Sequence, residues 1–372
     1  MKWQFLAVSF CILATAAHAK PTSSPKLNMV IFKQKPVEQT SQPVLINQEN
    51  GEGSLQMVVF NQNTPNQDTG TSETSSSQNE LNAETATESK DVTFKTSLKK
   101  GYQRNNLNWN IAAPGDRPNI LSELQWKKIS SQMVEAGLTI TYADSLQFEG
   151  NLGYGYTFYG RNQDSDYYLN NRQGEFSRSN NASNSGSILD FSTAVGYQFM
   201  FGNNATYAFH LTPKAGFSYH SQLFKMTDGV QTIPAYGGFA GLNSSYEATW
   251  LGPWAGITAE MLFAGQVSLQ NSIAYHLTKY QGTGNWNLRE DLQHPKSFKH
   301  KANGDGIVIS SSAGYLINSD WTVRLSADYQ RWKADRKGID TVFGSYGGIG
   351  HTKLNEVNWN SYGFNLGVEY NF

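Results

Sequence analysis

Cysteine is nearly absent from this 372-residue chain, whose one thiol, Cys11, sits in an apolar run near the start. Once that run is removed, disulfides, thiolate metal sites and cysteine nucleophiles are all excluded. Long hydrophobic stretches are missing too, and none approaches the ~20 residues a membrane-crossing helix needs. Charge is sparse and balanced: 29 Lys and Arg stand against 30 Asp and Glu, a net charge of −1. No basic excess invites nucleic acid. What the chain does have is aromatic residues (13%) and 34 Gly, with only 16% charged residues. That is too aromatic and too weakly charged for a chain disordered throughout.

Lys2, the apolar run from Phe5 to Ala17 and the small-x-small site Ala17-His18-Ala19 predict a cleavable signal peptide over residues 1–19. Phe10 before Cys11 is too bulky for a lipid-attachment site. Residues 20–91 form a second region, a low-complexity periplasmic extension predicted to be disordered. Its Ser/Thr/Glu/Asn tract from Gln67 to Lys90 has too little apolar area to offset the entropy of ordering. Ahead of that tract, Leu27-Asn-Met-Val-Ile-Phe-Lys-Gln34 and Leu55-Gln-Met-Val-Val-Phe-Asn-Gln62 recur 28 residues apart. They read either as a twice-presented docking peptide or as chance similarity in a tail.

From Val92 onward hydrophobic residues alternate with small or polar ones, the period of half-buried strands. The last ladder is the clearest. Tyr362, Phe364, Leu366, Val368, Tyr370 and Phe372 share one face; Asn365, Gly367, Glu369 and Asn371 take the other. Ten such strands are predicted, near 92–110, 119–142, 146–160, 188–201, 206–222, 245–262, 265–280, 304–317, 321–335 and 356–372. An even number of strands, each of at least ~9–11 residues, suits an outer-membrane barrel. The connections alternate as well. Asp144-Ser145, Phe201 to Asn204, Ala264-Gly265 and Asn318 to Asp320 are tight, whereas those near 161–187, 223–244, 281–303 and 336–355 are long. Short periplasmic turns and long outside loops are the outer-membrane arrangement. The fold class expected is all-β: a ten-stranded antiparallel transmembrane barrel over 92–372 behind a disordered N-terminal extension, in the cell outer membrane.

The aliphatic face, with aromatics towards the strand ends, is the lipid face. The other face carries Glu135, Glu149, Asp190, His210, Lys214, Glu260, Arg324, Asp328 and Glu369. Both signs are present, so paired charges are expected to fill the lumen, because ten strands enclose little free space. The terminal ladder ending at Phe372 has the form of a signal read by the barrel assembly machinery.

With the strands assigned, the stretch from Leu121-Ser-Glu-Leu-Gln-Trp126 to Gln163-Asp164-Ser-Asp166-Tyr167 resembles the omptin family of outer-membrane proteases. An SxLxW segment opens a long second strand, and the third strand leads into a loop bearing Asp-x-Asp. The resemblance implies that Asp164 and Asp166 are one half of a water-activating site. It places the other half, an Asp–His pair, in the fourth long loop, where this chain reads Arg289-Glu-Asp291-Leu-Gln-His294-Pro295. The family has one residue between that Asp and His, and this chain has two, which sets Asp291 and His294 on opposite faces of an extended segment. The resemblance also implies dependence on lipopolysaccharide and contact with outer-membrane lipid.

Asp164-Ser-Asp166 also suits a divalent ion or a solvated turn. Arg172, Arg178 and the Asn-rich 179–184 stretch read as a sugar- or phosphate-contacting loop or as a solvated one. His294 and His300 lack further ligands at metal spacing, so no metal and no cofactor is expected. The leading expectation is a non-catalytic barrel displaying long loops for surface interaction or envelope structure. An omptin-type endopeptidase using Asp164, Asp166, Asp291 and His294 comes second, and a narrow specific channel third.

Overall fold

The computed structural model describes residues 92–203, 207–263 and 265–372. The expected signal peptide, the extension and its repeated segment lie outside these residues, as do the turn residues 204–206 and Ala264.

The strands are β1 (Val92–Ile111), β2 (Ser122–Tyr142), β3 (Leu146–Leu169), β4 (Gln173–Ala182), β5 (Gly186–Tyr197), β6 (Phe199–Asn203), β7 (Tyr207–Ile233), β8 (Gly237–Phe239), β9 (Ser244–Phe263), β10 (Val267–Asn285), β11 (Phe298–Leu316), β12 (Trp321–Phe343), β13 (Ile349–Thr352) and β14 (Leu354–Asn371). β4, β5 and β6 succeed one another as a single interrupted stave between β3 and β7, while β8 and β13 are short additions in connecting segments. Ten antiparallel staves remain. β1 pairs with both β2 and β14, β12 with both β11 and β14, and β11 with both β10 and β12, so the ten staves of the described residues close on one another.

Period-2 chemistry sorts the faces. Leu98, Leu152, Val195, Ile273, Leu325 and Leu366 point outward and are exposed, as an apolar band requires. On β3 the band runs from Phe148 to Tyr159. Inward positions carry ions in pairs: of the expected set, Lys214 Nζ lies 2.5 Å from Glu149 and Arg324 Nε 2.8 Å from Glu369, while Glu135 takes Lys99, a cation outside that set, at 2.8 Å.

Two expectations need correction. The segments read as long loops are mostly strand. β3 and β4 continue the barrel wall to a tip at 170–172, and β7, β10, β11 and β12 likewise run past the apolar band. Polar residues there alternate without an apolar outer face, because no lipid faces them, and that removed the signal used to find strands. The second correction concerns the lumen, of which only the half nearer the tight turns is polar. The half nearer the hairpin tips is filled by Trp109, Trp126, Tyr246, Trp250, Tyr280, Phe298, Trp332 and Trp359. Trp250 and Trp332 lie with ring centroids 5.8 Å apart, and Trp126 stacks on Tyr246 at 5.2 Å. Indole on a strand reads equally as a membrane-interface anchor, and only the register places it inside.

Turn chemistry fits these hairpins. Ala143 and Asp144 both have positive φ, as do Asn171 and Arg172. Left-handed backbone at these residues lets the chain reverse within the three-residue connections 143–145 and 170–172.

Candidate functional site at the hairpin end

Asp164 and Asp166 lie on β3, two residues apart and therefore on one face. They sit in the wall, not in a loop: Asp166 pairs with Ser122 of β2 and Ser177 of β4, and Asp164 with Leu124 and Ser179. Asp166 is buried. It lies beyond the apolar band, and burial pushes its carboxyl well above the usual range, with the neighbouring Asp164 adding to the effect. The Ser122 and Ser177 hydroxyls and Arg289 act in the opposite sense.

Residues 286–297, which connect β10 to β11, hold the other two candidates. Arg289 donates from Nε and Nη2 to Asp291 at 2.7 and 2.5 Å, and this bidentate bond holds the Asp291 carboxyl below its usual value. The Arg289 side chain also lines two small cavities, one with Asp164 and one with Asp166. His294 turns elsewhere. Its Nδ1 is 2.9 Å from Asn285 Oδ1 and its Nε2 is 3.1 Å from the Arg289 carbonyl. The structure thus brings Asp164 and Asp166 together, while Asp291 is bonded to Arg289 and His294 to Asn285. The segment is turn, not strand, so the two-residue spacing does not set their faces.

A histidine–carboxylate pair does approach Asp166: His300, weighed from the sequence only as a metal ligand, and Asp340, which the sequence did not single out. His300 on β11 and Asp340 on β12 stand opposite each other in register, with Nε2 3.3 Å from Oδ1 and both side chains buried. They line, with Asp166 and Arg289, a cavity of about 50 Å³ under Trp286 and Leu292. Thr352 donates to the other Asp340 oxygen at 2.8 Å. His300 Nδ1 is 2.8 Å from the Tyr246 hydroxyl, which lies 2.6 Å from that of Tyr280. Burial pushes the Tyr246 phenol well up, so it stays protonated. His300 alternates with Phe298 and Ala302 on the inward face, a visible signal, but Asp340 is 40 residues on and only the β11–β12 register joins them.

Chemically, the arrangement is a closed polar cluster under an aromatic lid. Arg289 balances the carboxylates, Tyr246 and Asp340 hold the imidazole, and Trp109 packs edge-on against His300 at 4.7 Å.

No curated protein matches the chain by sequence. Among solved structures, the outer membrane protease OmpT from Escherichia coli is similar in fold, with a TM-score of 0.61 and 13% identity over 77% of this chain and 100% of that one. The translocator domain of the autotransporter NalP from Neisseria meningitidis (TM-score 0.32, 9% identity, 77% of this chain and 90% of that one) is far more distant. So is the outer membrane protein OprG from Pseudomonas aeruginosa (0.28, 10%, 75% and 95%). The family described as "Pom: Protochlamydia outer membrane protein" matches residues 97–372, nearly the whole barrel. The chain belongs to that family and is an integral outer-membrane β-barrel with an omptin-like scaffold.

Proposed function

We propose that this barrel is a non-catalytic surface protein whose strands extend past the lipid to present hairpin tips to a partner. The observation that carries this reading is the composition of those tips. Tyr346 is 93% exposed, Tyr236 64% and Tyr168 63%, with Leu169 and Ile349 bare beside them. Exposed tyrosines and aliphatics on rigid hairpins are the residues that anchor protein–protein contacts. The tips are stiffened from below. Arg172 donates to both Glu123 oxygens, at 2.9 and 2.6 Å, and Tyr168 stacks on Phe176 at 4.0 Å.

The endopeptidase is the second reading, favoured by the shared cavity of Asp166, His300 and Asp340. Against it, these side chains lie buried under residues 286–297, where a peptide bond has no access. The channel reading is opposed by the aromatic layer across the lumen.

One experiment separates the first two. Cells displaying the wild-type barrel, and cells displaying one whose tips at 169–173 and 344–349 are exchanged for Gly-Ser turns, are scored for adhesion to cultured cells. The folded protein is also incubated with cationic peptides in lipopolysaccharide micelles. Adhesion lost on tip exchange, with no cleavage, is expected. Cleavage by wild type that Asp166→Asn or His300→Ala abolishes would overturn the proposal.

Two partner roles belong to the same reading. A groove of about 740 Å³ on the outward face is lined by Lys299, Lys301, His351 and Lys353, against one acidic residue, Asp116. Lipopolysaccharide phosphates fit its charge, and burial followed by repulsion from Lys301 and Lys296 already pulls the Lys299 ammonium below its usual value. The strand ending at Phe372 is the element we propose for recognition by the barrel assembly machinery. Deleting Phe372 should lower the folded outer-membrane fraction.

A further inference from the structure

Two of the hairpin tips carry the same short sequence. Tyr-Gly-Gly occurs at Tyr236-Gly237-Gly238, between β7 and β9, and again at Tyr346-Gly347-Gly348, between β12 and β14. The backbone repeats with it: Gly237 and Gly347 have φ of 83° and 87°. Glycine adopts that conformation freely, and other residues rarely do. A Cβ at either glycine would meet nothing within 4 Å, so each tyrosine stands beside open space.

The two tips flank the 286–297 segment, and it is bonded to both. On one side Asn287 Nδ2 donates to the Gly241 carbonyl at 2.7 Å, and Asn287 Oδ1 accepts from Asn243 N at 2.8 Å. On the other, Ser345 N donates to the Asp291 carbonyl at 3.0 Å and Gln293 N to the Phe343 carbonyl at 2.8 Å. Between these contacts Trp286 and Leu292 sink into the aromatic core. Both tips are thus held to one base, and little freedom is left to lose on binding. Tyr168 differs, because it stacks on Phe176 of its own hairpin.

The chemistry of the tips selects a partner. Neither carries a charged residue, from 229 to 243 or from 341 to 350. Charge complementarity therefore matches them to an uncharged surface, not to an anionic glycan or a lipid headgroup. A neutral sugar site needs polar side chains converging on the ligand. Here the residues next to the rings are Ala235, Ser345 and glycine. Tyrosine set among Gly, Ser and Asn is the composition of loops that recognise proteins.

We infer that Tyr236 and Tyr346 are paired anchors of one binding surface, fitted to an uncharged patch of a protein on another cell. The inference rests on the surface-protein reading above and narrows it to two tips and one class of partner.

The test is adhesion of cells displaying the full chain to cultured cells, with folding shown by heat-modifiable gel mobility. Tyr236→Ala and Tyr346→Ala should each lower adhesion roughly tenfold, and the double variant should lower it to background. Tyr168→Ala should leave it unchanged. Shaving the cultured cells with trypsin should abolish adhesion of wild type, and periodate oxidation of their glycans should not. Adhesion that survives trypsin and falls with periodate overturns the inference. So does adhesion that the double variant retains, and in both cases the surface-protein reading stands. Absence of adhesion by wild type would overturn that reading and the inference with it.

Discussion

Replacing Arg324 with Met tests whether the paired charges of the lumen hold the barrel together. Arg324 is 5% exposed. It donates from Nε and Nη2 to the two Glu369 oxygens at 2.8 and 3.0 Å, from Nη1 to Ser312 at 3.1 Å and from Nη2 to Ser268 at 3.2 Å. Glu260 lies 3.7 Å away. Each charge-assisted bond contributes about 1.5–3 kcal/mol, so losing the two to Glu369 costs about 3–6 kcal/mol. Stranding a buried charge independently suggests about 3–5 kcal/mol. Glu369 also borders a luminal cavity of about 390 Å³, where water can reach it, which favours the lower end, about 3 kcal/mol. The double variant Arg324→Met/Glu369→Gln removes both charges and should cost less than Arg324→Met alone. Urea unfolding in lipid vesicles, followed by the heat-modifiable gel shift, measures all of these. A single substitution costing under about 1 kcal/mol, the value of a surface pair, would refute the reasoning. A double variant as unstable as the sum of the singles would do the same.

Three other outcomes are expected. Val195→Arg or Leu325→Arg, on the outward apolar band, should cost about 2–4 kcal/mol in the same assay, while Ser326→Thr on the inner face costs much less; equal costs would reverse the assignment of faces. Trp250→Ala with Trp332→Ala should turn a silent barrel into one that conducts in planar bilayers, at about 3–5 kcal/mol per indole and less than additively because the rings pack together; continued silence of a folded variant would place the barrier elsewhere. Because the Asp166 carboxyl is raised in the fold, its contribution is present below the ordinary carboxylate pKa and is lost as pH rises through the folded value. Asp166→Asn should therefore gain urea resistance over wild type at pH 8 and none at pH 3, and a variant weaker at pH 8 would show that the ionised carboxyl is needed.

The barrel was legible wherever lipid imposed a pattern. In β14 and β12, outward Leu366 and Leu325 alternate with inward Glu369 and Arg324, and strand, face and charge pairing all follow from that period. Legibility fell where lipid ends. Past Tyr159 the wall continues in polar residues on both faces, so Asp164 and Asp166 read as a loop. The Asp pair was recognisable by type and spacing. Its neighbours were not, because Arg289 reaches it from a turn and His300 meets Asp340 only through strand register. The aromatic layer was hidden for a different reason: Trp126, Trp250 and Trp332 obey the alternation, but on the face expected to be small and polar.

The seam of the barrel has a kinetic consequence. Apart from the seam, each stave bonds to staves next to it in the chain, which short hairpins can assemble one after another. The β1–β14 pairing instead joins Lys95 to Asn371 and Leu107 to Trp359, residues separated by most of the described chain. Closing so long a loop is the costliest contact and the last to be repaid. Until β14 arrives, β1 and β12 each carry a bare row of N–H and C=O groups, inside a bilayer that offers no water to satisfy them. Insertion and closure must therefore be nearly one event, and a chain stalled before β14 would present two adhesive edges to every neighbour it met.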